Sequence, residues 1–152
     1  MDSNTHSTKT PEPPEYPAGR ADRLGSLPAA VDELAAEELD RLSDSALTEE
    51  VLALRRLVDR LEGQWLRRVA AVDARGAAGA DRGEQALSTA GWLRNRLRLG
   101  AGTAPSAVRT ARALFRGPLT ATAAALTEGQ ISPAHARVLA DGTHDLPDQV
   151  AA

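Results

Sequence analysis

The 152 residues carry 18 lysines and arginines against 21 aspartates and glutamates, a net charge of −3. A chain of that length holds one core-bearing domain and little more. Without a cysteine it has neither disulfides nor thiolate zinc sites. No apolar run reaches the ~18 to 20 residues that span a bilayer, and the polar, acidic start lacks the pattern of a signal peptide, so the expectation is a soluble, cytoplasmic protein with no membrane partner.

Charge is unevenly spread. Residues 1–50 hold 12 acids and 4 bases, residues 51–127 hold 5 acids and 13 arginines, and residues 128–152 hold 4 acids and 1 arginine. Between Glu84 and Glu128 there is no acid, while Arg94, Arg96, Arg98, Arg109, Arg112 and Arg116 all fall there. Only Lys9 is a lysine; arginine in place of lysine suits bidentate phosphate contact and equally suits a GC-rich genome.

Residues 1–27 read as a disordered, proline-rich tail, with four prolines between Pro11 and Pro17 and few large apolar groups to offset ordering entropy. From there residues 28–152 read as one helical domain. Pro28 suits a first helical position, and Val31, Leu34, Leu39 and Leu42 follow at near-helical spacing. The strongest periodic signal comes next. Leu47, Val51, Leu54, Val58, Leu61, Trp65, Val69 and Val72 are three or four residues apart throughout, which predicts a helix from Ser45 to Arg75, about 45 Å long at 1.5 Å per residue. Gly76 is its natural end, and Gly63 inside it costs up to about 1 kcal/mol against alanine. Such a stripe needs covering, either by later helices of the chain or by a second copy as a coiled coil.

Residues 76–86 form a glycine-rich connector. In the following GWLRNRLRLG the arginines alternate with other residues, as on a strand. Residues 90–99 contain no valine, isoleucine or threonine, however, and no neighbouring segment supplies a partner strand. A helix is expected instead, capped by Ser88 or Thr89, with Leu93 over Leu97 and with Arg94 and Arg98 sharing an outer face. Thr103 ahead of Pro105 caps a helix to Arg116, with Arg109, Arg112 and Arg116 beside its apolar side. Gly117-Pro118 breaks it, an alanine-rich helix runs to Glu128, Gly129 closes that one, and Ser132-Pro133 starts a last helix through Ala140. The fold class is therefore all-α, a helix of about 30 residues packed with several shorter ones.

Two basic helices point to phosphate contact that is salt-sensitive and largely independent of sequence, with Arg94, Arg98, Arg109, Arg112 and Arg116 as the contacts and DNA as the partner. Against this stands a plainer reading, a solvated face neutralised by the chain's own acidic first half. Leu126–Ala140 has a helix, glycine turn, helix outline, yet only His135 and Arg137 on its second helix suit groove contacts, and an ordinary helical corner explains it. His6, His135 and His144 do not make a metal set, and no serine or histidine lies in a nucleophile motif. Trp65 and Trp92 are expected as core anchors. Composition and motifs supply no cofactor, no metal and no small-molecule ligand.

The run RRVAAVDARGAAGADRGEQALSTAGWLRNRLRLGAGTAPSAVRTARAL, continued by LTEGQISPAHARVLADG, resembles the actinobacterial 13E12 repeat family, also called domain of unknown function 222. The resemblance is carried by Asp73, Arg75 and Gly76 at the helix end, by Ser88, Thr89, Ala90, Trp92 and Leu93, and by Gly129, Ile131, Ser132, His135 and Ala136; it spans residues 45–146. It implies a helical domain that commonly precedes an HNH nuclease module. Histidines and an asparagine must converge on a metal in such a module, and no such segment lies within these 152 residues. The expectation is a non-catalytic module, the N-terminal part of a domain incomplete at its C-terminal end, acting through DNA or through homo-oligomerisation along residues 45–75. A remnant of a longer nuclease-type protein is the further alternative.

Overall fold

A computed structural model describes residues 18–80 and 88–144, and among these it contains six α-helices and no strand. Two compact units divide at Ser43 and Asp44, where the sequence predicts a single helical domain.

The first unit holds α1, Ala18–Ala36, and a 3-10 turn at Leu39–Arg41. This corrects two expectations. Residues 18–27 are helical rather than tail, and Pro28 lies inside α1 instead of opening it. Proline at an interior position removes a donor and crowds the carbonyl four residues back, but the alanines, arginines and leucines around it favour helix strongly enough to carry it. The helix also stops before Leu39, so Leu39 and Leu42 do not extend its stripe. Leu24, Val31 and Leu34 stand exposed. The expectation of a tail over residues 1–17 lies outside the described residues.

The second unit is built on α2, Asp44–Arg75, one residue longer than its spacing predicts. Gly76, at φ +61°, ends it in the left-handed conformation that costs glycine little. A 3-10 turn at Ala77–Ala80 follows, then α3 (Thr89–Leu97), α4 (Thr103–Phe115), α5 (Thr120–Thr127) and α6 (Pro133–His144). GWLRNRLRLG is thus a helix for its greater part. Ser88 caps it by accepting a hydrogen bond from the Gly91 N–H at 3.1 Å, and Leu93 is fully buried. Ser132 caps α6 and Pro133 is its first residue, as expected. The cap of α4 is Gly102, with Thr103 already inside the helix.

The core joins Leu66, Val69 and Ala70 of α2 to Leu93, to Ala104, Val108, Ala111 and Leu114 of α4, to Ala123 and Leu126 of α5 and to Ala136 of α6. Trp65 and Trp92 pack against it, half-buried. Burial of this set is the principal stabilising term, at about 25 cal/mol per Å² of apolar surface removed from water.

The predicted stripe is covered only in part: Trp65 and Val69 reach the core, and the residues from Leu47 to Leu61 do not. The buried residues of α2 are Asp59, Gly63, Leu66, Val69 and Ala70. Gly63 takes α5 at close range: a Cβ there would stand 3.2 Å from Leu126 Cγ and 3.3 Å from Thr127 Cγ2. Gly129, at φ +74°, lies over the preceding turn of α2, where a Cβ would meet Arg60 Cγ at 2.9 Å and the Arg56 carbonyl at 3.0 Å. At about 100° per residue, Gly63 stands half a turn round the helix from Leu54. The later helices pack on α2 from Asp59 onward; Leu47, Val51, Leu54, Val58 and Leu61 are between 37% and 60% exposed, and Leu52 and Leu57 on other sides of the same stretch are exposed too.

Candidate functional site

The five arginines predicted as phosphate contacts do not form one equivalent set. Arg94 lies in the last turn of α3 and is exposed. Arg98 lies beyond that helix, at φ 53° and ψ 36°. The expectation that the two share a helical face is therefore corrected: the left-handed residue ends the helix and sends its side chain from a different backbone direction. Arg116 is the C-cap of α4 and is exposed. None of these three has a carboxylate partner among the described residues.

Arg112 is committed elsewhere. Its Nε and Nη2 donate to the two carboxylate oxygens of Asp73, at 2.6 and 2.8 Å. This planar two-point pairing ties α4 to the end of α2. The Arg112 guanidinium, helped by a hydrogen bond from Thr89, holds the Asp73 carboxyl below its ordinary value, and the carboxylate in turn raises Arg112. Arg116 adds its field to Asp73 without a contact. Arg109 stands 3.9 Å from Asp141 of α6, a loose pairing between half-exposed groups. Of the expected outward set, Arg94, Arg98 and Arg116 have no carboxylate partner among the described residues, Arg109 is shared, and Arg112 is a clamp.

The groove between α2, α4 and α6 has a volume of about 910 Å³ and is lined by Glu62 and Trp65, Arg109 and Thr110, Arg137 and Asp141, among others. Burial is the main cause of a raised carboxyl at Glu62. Two cations and two carboxylates leave the groove without a net charge to select an anion.

The helix, turn, helix outline is α5, Gly129 and α6. Its turn is locked by hydrogen bonds from Gly129 N–H to Leu126 O and from Gln130 N–H to Ala125 O. Ala136 and Ala140 bury one face of α6, and the His135 ring nitrogen lies 2.8 Å from Ser132 Oγ at the helix start. Among the described residues no group of three histidines, cysteines or carboxylates is placed to hold a metal ion, and no helix is long and apolar enough to cross a membrane. His6 lies outside the described residues.

One surface outside these sites is apolar. Leu47, Val51, Leu54, Val58 and Leu61 repeat at four, three, four and three residues along α2. On the helix's shoulder Arg55 Nη2 donates to Asp59 Oδ1, and Asp59 is nearly fully buried. Hydropathy alone shows this stripe but not its exposure.

Six helices, one of them 32 residues long, and no strand among the described residues define an all-helical fold. Residues 24–152 match the profile of the domain of unknown function 222 family (DUF222), and the chain belongs to that family. No curated protein and no solved structure is similar to it.

Proposed function

We propose that this chain is a non-catalytic helical module that works by association, with a second copy of itself covering the exposed stripe of α2. The carrying observation is that five large apolar side chains at coiled-coil spacing lie exposed along the first half of α2, ahead of and beside the stretch from Asp59 onward where the later helices pack. Contiguous exposed apolar surface of this kind marks interaction sites, and a 4-3-4-3 repeat is the spacing at which two helices interlock. Sedimentation over a concentration series tests the reading. The wild-type chain forms a dimer at high micromolar concentration, and Leu54→Lys stays monomeric with unchanged helical content; a monomeric wild type removes the proposal.

A second reading, nucleic-acid association, is supported by Arg94, Arg98 and Arg116, which lie in the acid-free interval and lack carboxylate partners among the described residues. Its measure is affinity for duplex DNA from low to moderate salt. Replacing the three by alanine lowers that affinity and flattens its salt dependence; absence of binding at low salt ends this reading. Plasmid incubated with the protein and magnesium or manganese stays intact on both readings.

A further inference from the structure

We infer that the two α2 helices pair parallel and in register over residues 47–61. This rests on the self-association reading and specifies the geometry of that contact.

The alternation of residue type supports it. Val51 and Val58 fall at one seam position of the heptad, a, and Leu47, Leu54 and Leu61 at the other, d. β-branched residues at a with leucine at d favour two parallel strands, because the packing angle at a accommodates a branched β-carbon and the angle at d accommodates leucine. The flanking charges agree. Glu50 takes position g and Arg55 the following e, so parallel helices set Glu50 of each copy beside Arg55 of the other, twice per dimer. An antiparallel pair centred on Leu54 instead brings Arg55 near its own counterpart and sets Glu50 against Leu57. Arg55 also donates to Asp59 of its own helix, so in the pair its guanidinium is shared between that carboxylate and Glu50 of the other copy.

The lower limit of the contact is built into the fold. The next seam position is Trp65, which is half-buried against the core of its own unit, so the paired stretch ends near Leu61. Parallel pairing then sets the two α3–α6 bodies side by side at one end of the paired helices, and Arg94, Arg98 and Arg116 of both copies with them. Antiparallel pairing would hold them at opposite ends.

The chain has no cysteine, so single substitutions report the register cleanly. Leu47→Cys and Leu61→Cys are made separately in the full chain and equilibrated in a glutathione redox buffer, alone and mixed. Far-UV circular dichroism checks that each keeps its helices. The expected result is efficient disulfide dimers of Leu47→Cys with itself and of Leu61→Cys with itself, and no mixed dimer above a denatured control. A dominant mixed dimer means antiparallel pairing and overturns the inference while leaving self-association standing. If wild-type sedimentation shows a dimer but neither variant links in any combination, the contact lies elsewhere and the inference also fails. Cross-linking of Val31→Cys to Val51→Cys in place of the self-linked dimers identifies α1 as the occupant of the stripe, with the same consequence. A monomer at all concentrations removes the parent reading and this one together.

Discussion

Arg112 and Asp73, 39 residues apart in sequence, meet through two parallel hydrogen bonds of 2.6 and 2.8 Å. This two-point ion pair therefore uses an arginine whose spacing alone suggests phosphate contact. Asp73 is only 15% exposed and Arg112 60%. Water screens the arginine side, so Arg112→Ala costs about 1 kcal/mol, well under the value of a buried pair. Urea denaturation of the two single alanine variants and the double variant measures the coupling, which should be favourable and should shrink in high salt.

The same pair sets a pH dependence. Asp73 is lowered from its ordinary 3.8 in the folded chain, so its contribution is fully present above that value and is lost as pH falls below it toward the folded value. The stability difference between wild type and Asp73→Asn should hold constant near neutrality and narrow below about pH 4. Glu62 has the opposite sign. Its carboxyl is raised above 4.5, chiefly by burial, so the ionised form is disfavoured in the fold. Glu62→Gln should stabilise the protein at neutral pH, by less than about 1 kcal/mol, and the gain should vanish as the solution is acidified through that range.

Gly129 and Gly76 share a left-handed backbone, but only Gly129 is also crowded, by Arg60 and the Arg56 carbonyl. Gly76→Ala pays the conformational penalty alone, about 1 kcal/mol. Gly129→Ala adds a backbone clash and should cost about 2 to 3 kcal/mol. Thermal melts that rank the two variants equally would show that the turn does not seat on α2 as described.

The extent of α2 was legible because a three-and-four spacing over eight apolar residues has no other regular solution, and the turn glycines at 76 and 129 could be read as helix ends. Which part of α2 is covered was legible only at Trp65 and Val69, the stripe residues that reach the core. Periodicity reports where the apolar side chains lie, whereas coverage depends on Leu126, Thr127 and Gly129, more than 60 residues further on. The packed face is moreover marked by Gly63 and Asp59, neither of which carries a hydropathy signal. Gly63, read as a weak point in a long helix, is the place where α5 comes close. The arginine set was only half legible for a related reason: spacing puts Arg109, Arg112 and Arg116 along one side of α4, but the pairing of Arg112 depends on Asp73 in another helix, and Arg98 leaves the helical face because the backbone reverses hand there.

Thr110 offers a test of polar satisfaction inside α4. Its residue is buried and its Oγ1 has no hydrogen-bond partner among the described residues. An unsatisfied hydroxyl carries its desolvation cost with nothing in return, so an isosteric apolar residue should be tolerated or better. Thr110→Val should raise stability by about 1 kcal/mol, measured as an upward shift of the denaturation midpoint at constant slope. A loss of stability would mean that the hydroxyl has a partner in solution.

Leu126 and Leu54 separate folding from association. Leu126 is fully buried where α5 seats on Gly63, while Leu54 is 47% exposed on the opposite side of α2. Truncation at the first site removes packed methyl groups and leaves a cavity, so Leu126→Ala should cost about 3 kcal/mol at any protein concentration. Leu54→Ala removes surface that, on the proposed self-association, a second copy covers. At high dilution its melting point should match the wild type within error; at high micromolar concentration the wild type should gain stability by mass action and the variant should not. Melting curves of both proteins over a dilution series therefore decide the matter: a Leu54→Ala loss that persists at the lowest concentration would place this leucine in the monomer's own packing and would take the exposed stripe, and the dimer proposed on it, out of consideration.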